Sequence, residues 1–346
     1  MPRRIALLLA AGVVLALAVG LAAWRAARPG SELERALSTA PAGTLRATWT
    51  DWAAVRREVG ARDPRGAAGL TRLLDRGFER DLTSTSALLS SAEPMRAELG
   101  LSPANLAWEL LAQGPDGAVV AMGLPDSFSV DRLGARLERL GYRRPDSPDG
   151  VWRGTPEIAA TTGFTPELQY VVVLEDQGLV LASDTQGYAG RAAAVALGDR
   201  PSVSGLEEVV EPAGSPVSAA VYTGEYGCEQ LAMAQADGAD AAQGEQLIAA
   251  AGGLNPYTSL AMTLQPDGSM QVLLGFESEE QARADADARA QLAKGPAPGQ
   301  GGDFSERFRV RSVQSEGTLL TMDLRPRRDA YVLSDLSSGP VLFASC

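Results

Sequence analysis

The stretch that decides the fold class is LQYVVVLEDQGLVLASD, residues 168–184. It places two apolar runs, rich in Val and Leu, on either side of Asp176-Gln177-Gly178. Short apolar runs around a turn that contains glycine predict a β-hairpin. SLAMTLQPDGSMQVLLGFES, residues 259–278, repeats this arrangement with Pro266-Asp267-Gly268 at the turn. The two segments therefore predict antiparallel strand pairs in both parts of the chain.

A third hairpin is predicted near the C-terminus, in RFRVRSVQSEGTLLTMDLRP, residues 307–326. Its first strand alternates, with Phe308 and Val310 on one face and Arg309 and Arg311 on the other, as in a half-buried strand. Because segments of helical periodicity separate the hairpins, the predicted fold class is α+β, with antiparallel hairpins and packed helices.

The clearest helix is predicted in SEEQARADADARAQLAKG, residues 278–295. Ser278 and Gln281 fit a capping box at its start. Small residues are expected to face a sheet, namely Ala282, Ala286, Ala290 and Ala293. Two i,i+4 pairs with the acid first, Glu279 with Arg283 and Asp285 with Arg289, are expected to support the helix.

The order of the elements predicts four segments along the chain. These are a membrane anchor or signal peptide (1–30), a polar stalk (31–44), a first α+β lobe (45–215) and a second α+β lobe (216–346). Residues 66–113 are expected to be a helical insertion in the first lobe, since leucines recur there at helical spacing. The hairpin–helix units at 168–197 and 259–294 are similar in order and spacing, which suggests a duplicated α+β module.

The N-terminus carries a membrane signal in MPRRIALLLAAGVVLALAVGLAAWRAARPG, residues 1–30. The run from Ile5 to Trp24 has no charged residue, and about 20 apolar residues suffice to cross the hydrocarbon core. A signal peptide is the alternative, although its apolar region is usually about 7–15 residues long. Arg3 and Arg4 favour a cytoplasmic N-terminus. The sequence therefore predicts a single-pass plasma-membrane protein, anchored through residues 5–24, with most of the chain extracytoplasmic.

The chain has two cysteines, Cys228 and the C-terminal residue Cys346. An even number suits one disulfide in an oxidising compartment. Such a bridge would close a long loop and hold the C-terminal end in place. Two unpaired thiols are the alternative.

The charge balance narrows the class of partner. Basic residues number 31 and acidic residues 43, which gives a net charge of −12. An acidic body repels phosphate backbones and anionic lipid headgroups, whereas nucleic-acid binding depends on a basic surface. The sequence therefore predicts no nucleic-acid partner.

Residue types exclude several kinds of catalysis. The chain contains no histidine, which excludes Ser–His and Cys–His nucleophile systems and histidine-dependent metal sites. Lys294 is the one lysine, and its place in the last turn of a predicted helix suits the helix dipole better than catalysis. These residue types predict a non-enzymatic protein without cofactor or metal.

Carboxylate chemistry needs neither histidine nor lysine, so two acids next to aromatic residues are candidates. They are Asp51, beside Trp52, and Glu225, between Tyr222 and Tyr226. A glycosidase needs two carboxyl groups about 5–9.5 Å apart. The alternative for Asp51 is a helix N-cap, and for Glu225 a solvated turn beside the cysteine bridge. All five residues are candidate binding residues.

Three strings carry a resemblance to a known group. They are TLRATWTDWAAVRREVG (44–60), LAWELLAQGPDGAVVAMGLPD (106–126) and YVVVLEDQGLVLASDTQGY (170–188). In this order they resemble membrane-anchored exported proteins of high-GC actinobacteria that have no assigned activity. The resemblance implies an extracytoplasmic compartment and no particular chemistry.

These observations predict a non-enzymatic, membrane-anchored protein of the cell envelope whose acidic, disulfide-closed body binds a protein or envelope partner. A carrier for an apolar ligand is the first alternative, because Leu, Ala and Val positions are many, although such residues also fill an ordinary core. A carboxylate-dependent glycan hydrolase is the second alternative.

Overall fold

The computed structural model describes residues 30–125 and 127–346. Its strands are β1 (Arg46–Thr50), β2 (Trp108–Gly114), β3 (Gly117–Gly123), β4 (Trp152–Arg153), β5 (Tyr170–Leu174), β6 (Leu179–Ser183), β7 (Ser218–Thr223), β8 (Ser259–Leu264), β9 (Met270–Gly275), β10 (Phe308–Glu316) and β11 (Leu319–Pro326). Its α-helices are α1 (Glu32–Leu37), α2 (Trp52–Glu58), α3 (Gly66–Glu79), α4 (Ala92–Pro94), α5 (Val130–Leu140), α6 (Pro156–Thr162), α7 (Gln186–Ala196), α8 (Glu207–Val210), α9 (Gly224–Gln230), α10 (Gly238–Ala250), α11 (Glu279–Leu292), α12 (Phe304–Arg307) and α13 (Val332–Ser338).

The strands form one eleven-stranded sheet in the order β10-β11-β9-β8-β7-β1-β2-β3-β6-β5-β4. Neighbouring strands are antiparallel throughout. At the middle of the sheet, Arg46 of β1 lies opposite Tyr222 of β7, and Thr50 lies opposite Ser218. The predicted α+β class is confirmed, and so are the three predicted hairpins, β5–β6, β8–β9 and β10–β11.

The two halves of the sheet have the same strand order. From the centre outward, β1, β2, β3, β6 and β5 of the first half match β7, β8, β9, β11 and β10 of the second. The unit at 259–294 therefore corresponds to β2–β3–α5, and the unit at 168–197 corresponds to the β10–β11 hairpin with its following helix. The predicted match between those two units is wrong, because it paired the inner hairpin of one half with the outer hairpin of the other.

Each face of the sheet carries a hydrophobic core. Face A, which includes Tyr222 and Met262, packs against α2 to α6 and α9 to α13. Face B, which includes Trp49 and Val221, packs against α1, α7 and α8. Burial on both faces explains why the first half reads as near-continuous apolar strands rather than alternating ones.

The halves differ in how face B is covered. β5 and β6 are buried along almost their whole length, because α7 packs on them. β10 and β11 instead alternate, and Thr321, Asp323 and Arg325 of β11 are half-buried or exposed on face B. Face B of the outer hairpin in the second half is therefore an open, polar surface.

Two predicted segments are corrected by the structure. The expected stalk, residues 31–44, contains α1, whose Leu33 and Ala36 are buried against face B. The expected helical insertion, residues 66–113, ends before Trp108, because the segment that follows forms β2 between β1 and β3. The apolar residues of β2 face both cores, and a short run of this kind fits a helix or a doubly buried strand equally well.

α11 begins with the predicted capping box of Ser278 and Gln281. Its buried residues are Ala282, Asp285, Ala288, Arg289 and Leu292. The predicted alanine face is confirmed in part, because Ala282 and the C-cap Ala293 are buried while Ala286 and Ala290 are half-buried. Asp285 and Arg289 form a fully buried ion pair at 2.8 Å. Arg289 also donates to three backbone carbonyl oxygens, those of Asn255, Phe343 and Ser345. The helix is thus turned so that this pair fixes the C-terminal tail.

The predicted anchor, residues 5–24, lies outside the described residues. Within residues 30–125 and 127–346, no helix combines the length and apolarity that a membrane crossing requires.

Candidate functional site

An open groove of about 1070 Å³ lies at one end of the strands in the first half. The C-terminal end of β1, the start of β2, the end of β3 and the β5–β6 turn surround it. Its lining includes acids, Glu32, Asp51, Glu175 and Asp176; arginines, Arg35 and Arg57; and apolar residues, Trp108, Leu124, Phe128 and Val130. The groove therefore presents both signs of charge beside an aromatic wall.

Asp51 lies in the groove as the N-cap of α2, as predicted. Its Oδ1 accepts the backbone N–H of Ala54 at 2.8 Å. Burial raises the pKa of the Asp51 carboxyl, while the Ala54 N–H and the charges of Arg56 and Arg57 oppose the shift and Glu32 adds to it. A carboxyl in this position is both a structural cap and a half-buried acid in the groove.

The aromatic wall depends on a glycine. Gly123 lies directly across from Trp108 in the β2–β3 pair, and a Cβ at Gly123 would lie 2.4 Å from the Trp108 ring. The absent side chain lets the indole lie flat over β3, and its ring centroid is 5.5 Å from that of Trp49. Sequence reasoning missed Trp108 because its segment was assigned to a helix.

Trp52 is not available to a ligand. Its side chain is fully buried, and its Nε1 donates to Oε2 of Glu109 at 2.7 Å. Glu109 is buried too, and Ala87 N–H donates to its other oxygen at 2.7 Å. Burial raises the pKa of Glu109 to about 7, although these hydrogen bonds favour the charged form. The prediction of Trp52 as a binding residue is therefore wrong. Trp52 is a core residue that donates a hydrogen bond to the buried Glu109.

The predicted disulfide between Cys228 and Cys346 is confirmed, with a Cα–Cα distance of 5.7 Å. Cys228 is on α9, which packs closely on Tyr257: a Cβ at Gly227 would lie 2.4 Å from the Tyr257 hydroxyl. The same hydroxyl donates to the carbonyl of Ala344 at 3.1 Å. The bridge and this contact hold the C-terminal tail against α9.

Beside α9 is a smaller polar depression of about 310 Å³. Its lining includes Arg46, Tyr222, Tyr226 and Ser337. The Tyr222 ring stacks on Tyr226 with a centroid distance of 6.1 Å, and its hydroxyl donates to the Ser337 carbonyl at 3.2 Å. Burial raises the pKa of Tyr222 to about 12. Tyr226 and Arg46 are thus the accessible members, while Tyr222 forms the floor.

Glu225 is exposed on α9 and does not line this depression. Asp51 follows the C-terminal end of β1, whereas Glu225 follows the C-terminal end of β7, which is antiparallel to β1. The five residues of β1 separate the two acids by about 17 Å at the strand rise. They cannot act as the paired carboxyl groups of one glycosidase site.

Comparisons with known proteins find distant structural similarity only. No protein-family model matches the chain, and no match is found among curated proteins. Among solved structures, crystal form I of TP0453 is similar at 9% identity and a TM-score of 0.41, over 89% of this chain and 98% of that chain. Crystal form III of TP0453 is similar at 10% identity and a TM-score of 0.43, over 90% of this chain and 99% of that chain.

Proposed function

We propose that this is a non-enzymatic, membrane-anchored protein of the cell envelope that binds a protein or other envelope partner in the groove. The observation that carries the proposal is the groove itself, which is open, about 1070 Å³ in volume and lined by a mixture of charged and aromatic residues. An aromatic wall surrounded by charged groups is the composition of a protein-binding surface rather than of a closed ligand cavity.

The position of the groove supports a role close to the membrane. Glu32 and Arg35 of α1 line it, and α1 begins eight residues after Trp24, the last residue of the apolar run. Eight extended residues span at most about 28 Å. If residues 5–24 cross the membrane with the N-terminus in the cytoplasm, a partner at or near the outer membrane surface could reach the groove.

The Cys228–Cys346 bridge supports an oxidising compartment, since such bridges persist outside the cytoplasm. This agrees with the resemblance to anchored exported proteins of actinobacteria, which remains part of the proposal.

The two alternatives have different support. A carrier for an apolar ligand would need an apolar cavity that surrounds its cargo, whereas the groove is open and carries at least four acids. A glycan hydrolase is favoured by one observation: Glu32 and Asp51 line the same groove, and the Glu32 charge contributes to the raised pKa of Asp51. An Asp51→Asn variant keeps the cap oxygen and removes the charge, so loss of a glycan-cleaving activity in this variant would favour the hydrolase.

The intact mass of the protein separates the anchored partner-binding protein from the carrier. The full-length protein is recovered in mild detergent from its own membranes and weighed natively and after denaturation. We expect a denatured mass that retains residues 1–29 and is two hydrogens below the reduced chain, and a native complex that contains a second macromolecule or no adduct. A small apolar adduct would favour the carrier, and a chain that begins after residue 29 would contradict the anchor.

A further inference from the structure

Four arginines line one depression of about 450 Å³ at the outer edge of the second half. Arg309 and Arg311 come from the edge strand β10, and Arg325 and Arg327 come from the end of β11 and the residue just after it. We call this set the arginine corner. All four side chains are exposed, and no carboxylate lines the depression.

The positive charges of the arginine corner repel one another. Arg309 and Arg325 are direct cross-strand partners, and like charges in such positions are destabilising. The register shifts between Val310 and Ser312, which places Arg311 in a bulge next to this pair. Four positive charges therefore meet in a chain whose net charge is −12.

No acidic side chain forms an ion pair with the corner, although the charge of Arg325 contributes to the lowered pKa of Asp267 and acids line a neighbouring depression shared with Arg325 and Arg327. Nine ion pairs are found among the described residues, and none involves these four arginines. Arg325 and Arg327 donate only to backbone carbonyls, those of Asp267 and Ser305. Exposed guanidinium groups without a carboxylate partner are suited to bidentate binding of phosphate or carboxylate oxygens.

Protection of the sheet edge explains only half of the set. Charged residues on an edge strand discourage pairing with another chain, and this accounts for Arg309 and Arg311. It does not account for Arg325 or Arg327, because β11 is covered on both sides by β9 and β10. The inner strand adds charge that edge protection does not need.

The corner lies at the same end of the strands as the groove. One row of paired residues runs across the sheet through Thr50, Ser218, Leu264, Met270, Leu324 and Val310. Thr50 precedes Asp51 of the groove, and Val310 lies in the corner. Five strand spacings of about 4.8 Å put Thr50 and Val310 at most about 24 Å apart. α1, which follows the predicted anchor in the chain, also lines the groove at this end.

We propose that the arginine corner binds the phosphate groups of anionic phospholipids at the surface of the membrane in which the chain is anchored. The proposal rests on the anchor of the proposed function and adds a second contact that sets the orientation of the body. The overall acidity does not oppose it, because charges farther away than the Debye length of about 8–10 Å are screened at physiological salt.

The test uses the full-length chain in nanodiscs of phosphatidylcholine alone or of phosphatidylcholine mixed with phosphatidylglycerol. Hydrogen exchange is followed at the amides of residues 307–312 and of residues 324, 325, 327 and 328, since Pro326 has no amide hydrogen. One arginine near an anionic surface is worth about a fivefold change in the binding equilibrium. We therefore expect exchange at these amides to slow by about an order of magnitude in the anionic discs and to recover in high salt.

The variant R309Q/R311Q should exchange equally fast in both kinds of disc. A matched control is R72Q/R139Q, which removes the same charge from two exposed helix positions without an ion pair, and it should behave as the unaltered chain does.

Four results would overturn the proposal. Equal exchange in both discs, or the same loss of protection in the control, would contradict lipid binding by the arginine corner and would leave the predicted anchor unaffected. Protection by glycerol 1-phosphate in discs of phosphatidylcholine, without protection by the anionic discs, would mean that the phosphate ligand is soluble. A chain that leaves both kinds of disc would overturn the anchor and the corner together.

Discussion

The first and second halves of the sheet share a strand order but are held together by different means. In the first half, apolar strands are covered on both faces, with α7 packed on β5 and β6. In the second half, the outer hairpin leaves face B open, and the tail is fixed by a disulfide and by the buried Arg289. Topology therefore constrains neither the kind of core nor the surface that remains for binding.

Within the second half, buried arginines and exposed arginines have different roles. Arg289 is fully buried and satisfied by Asp285 and backbone carbonyls, whereas Arg309 and Arg325 face each other in solvent. Variants of these residues, and of residues in the first half, test whether the two halves are stabilised by different means.

The largest effect is expected for Arg289→Leu. The change leaves Asp285 buried without its counter-charge, and breaking a buried pair on one side costs about 3–5 kcal/mol. We expect the free energy of unfolding, measured by urea titration with circular dichroism, to fall by that amount. The control is Arg283→Leu on the exposed side of the same helix, where loss of the Glu279 pair should cost at most about 0.5 kcal/mol. Equal costs would show that the second half does not depend on the buried pair.

The next effect is expected for the double variant C228S/C346S. The bridge closes a span of 118 residues, and a native disulfide typically contributes about 2–4 kcal/mol. The free energy of unfolding should fall by that amount, and exchange by local opening should become faster at residues 341–346 but not in β5 and β6. Reduction of the unaltered protein should reproduce this pattern. Faster exchange throughout both halves would contradict a local role of the bridge.

The first half is expected to show the pH dependence of a buried acid. Burial raises the pKa of Glu109 from 4.5 to about 7, so the folded chain holds a proton that the unfolded chain releases. Stability should therefore fall as the pH rises from 4.5 to about 7, by a total on the order of 2–3 kcal/mol. Asp81, whose pKa burial raises to about 6, contributes with the same sign.

Denaturant titrations across this pH range test the assignment. A Glu109→Gln variant is expected to be less stable, because its amide cannot accept from both Trp52 and Ala87, yet its stability should depend less on pH. An unchanged slope would assign the pH dependence to other groups.

The smallest effect is a gain. Removing one of two opposed like charges, in Arg309→Thr, should stabilise the fold by about 0.2–1 kcal/mol at low salt, and the gain should shrink at high salt. Arg311→Thr is the control, because the bulge gives Arg311 no cross-strand partner, and it should gain less. If Arg309→Thr were destabilising, the arginine corner would not be under repulsion.

The sequence predicts the strands better than it predicts the candidate site. Alternation and glycine turns predict β5–β6, β8–β9 and β10–β11, since those signals are local. The same local signals misassign β2, because burial on both faces removes the alternation that marks a strand. They predict the burial of Ala282 and Ala293 but not that of Asp285 and Arg289, because that pair is buried only where the C-terminal tail supplies carbonyl partners.

The candidate site shows the same limit. The N-cap role of Asp51 and the pairing of the cysteines follow from spacing and parity. The groove, the contact of Trp108 with Gly123 and the opposition of Arg309 to Arg325 depend on strand register, which a single sequence does not specify between distant hairpins. Glu225 and Trp52 were candidates by adjacency alone, and the fold places one in solvent and the other in the core.

The most direct test of the central claim is crosslinking from the groove in intact cells. A photoreactive residue replaces Arg35 or Gln177, which line the groove, or as matched controls Arg72 and Asp149, which are exposed on a helix and in a loop elsewhere. We predict that both groove positions crosslink to the same envelope partner and that neither control does. Partners captured equally from all four positions, or from the controls alone, would contradict a binding function for the groove.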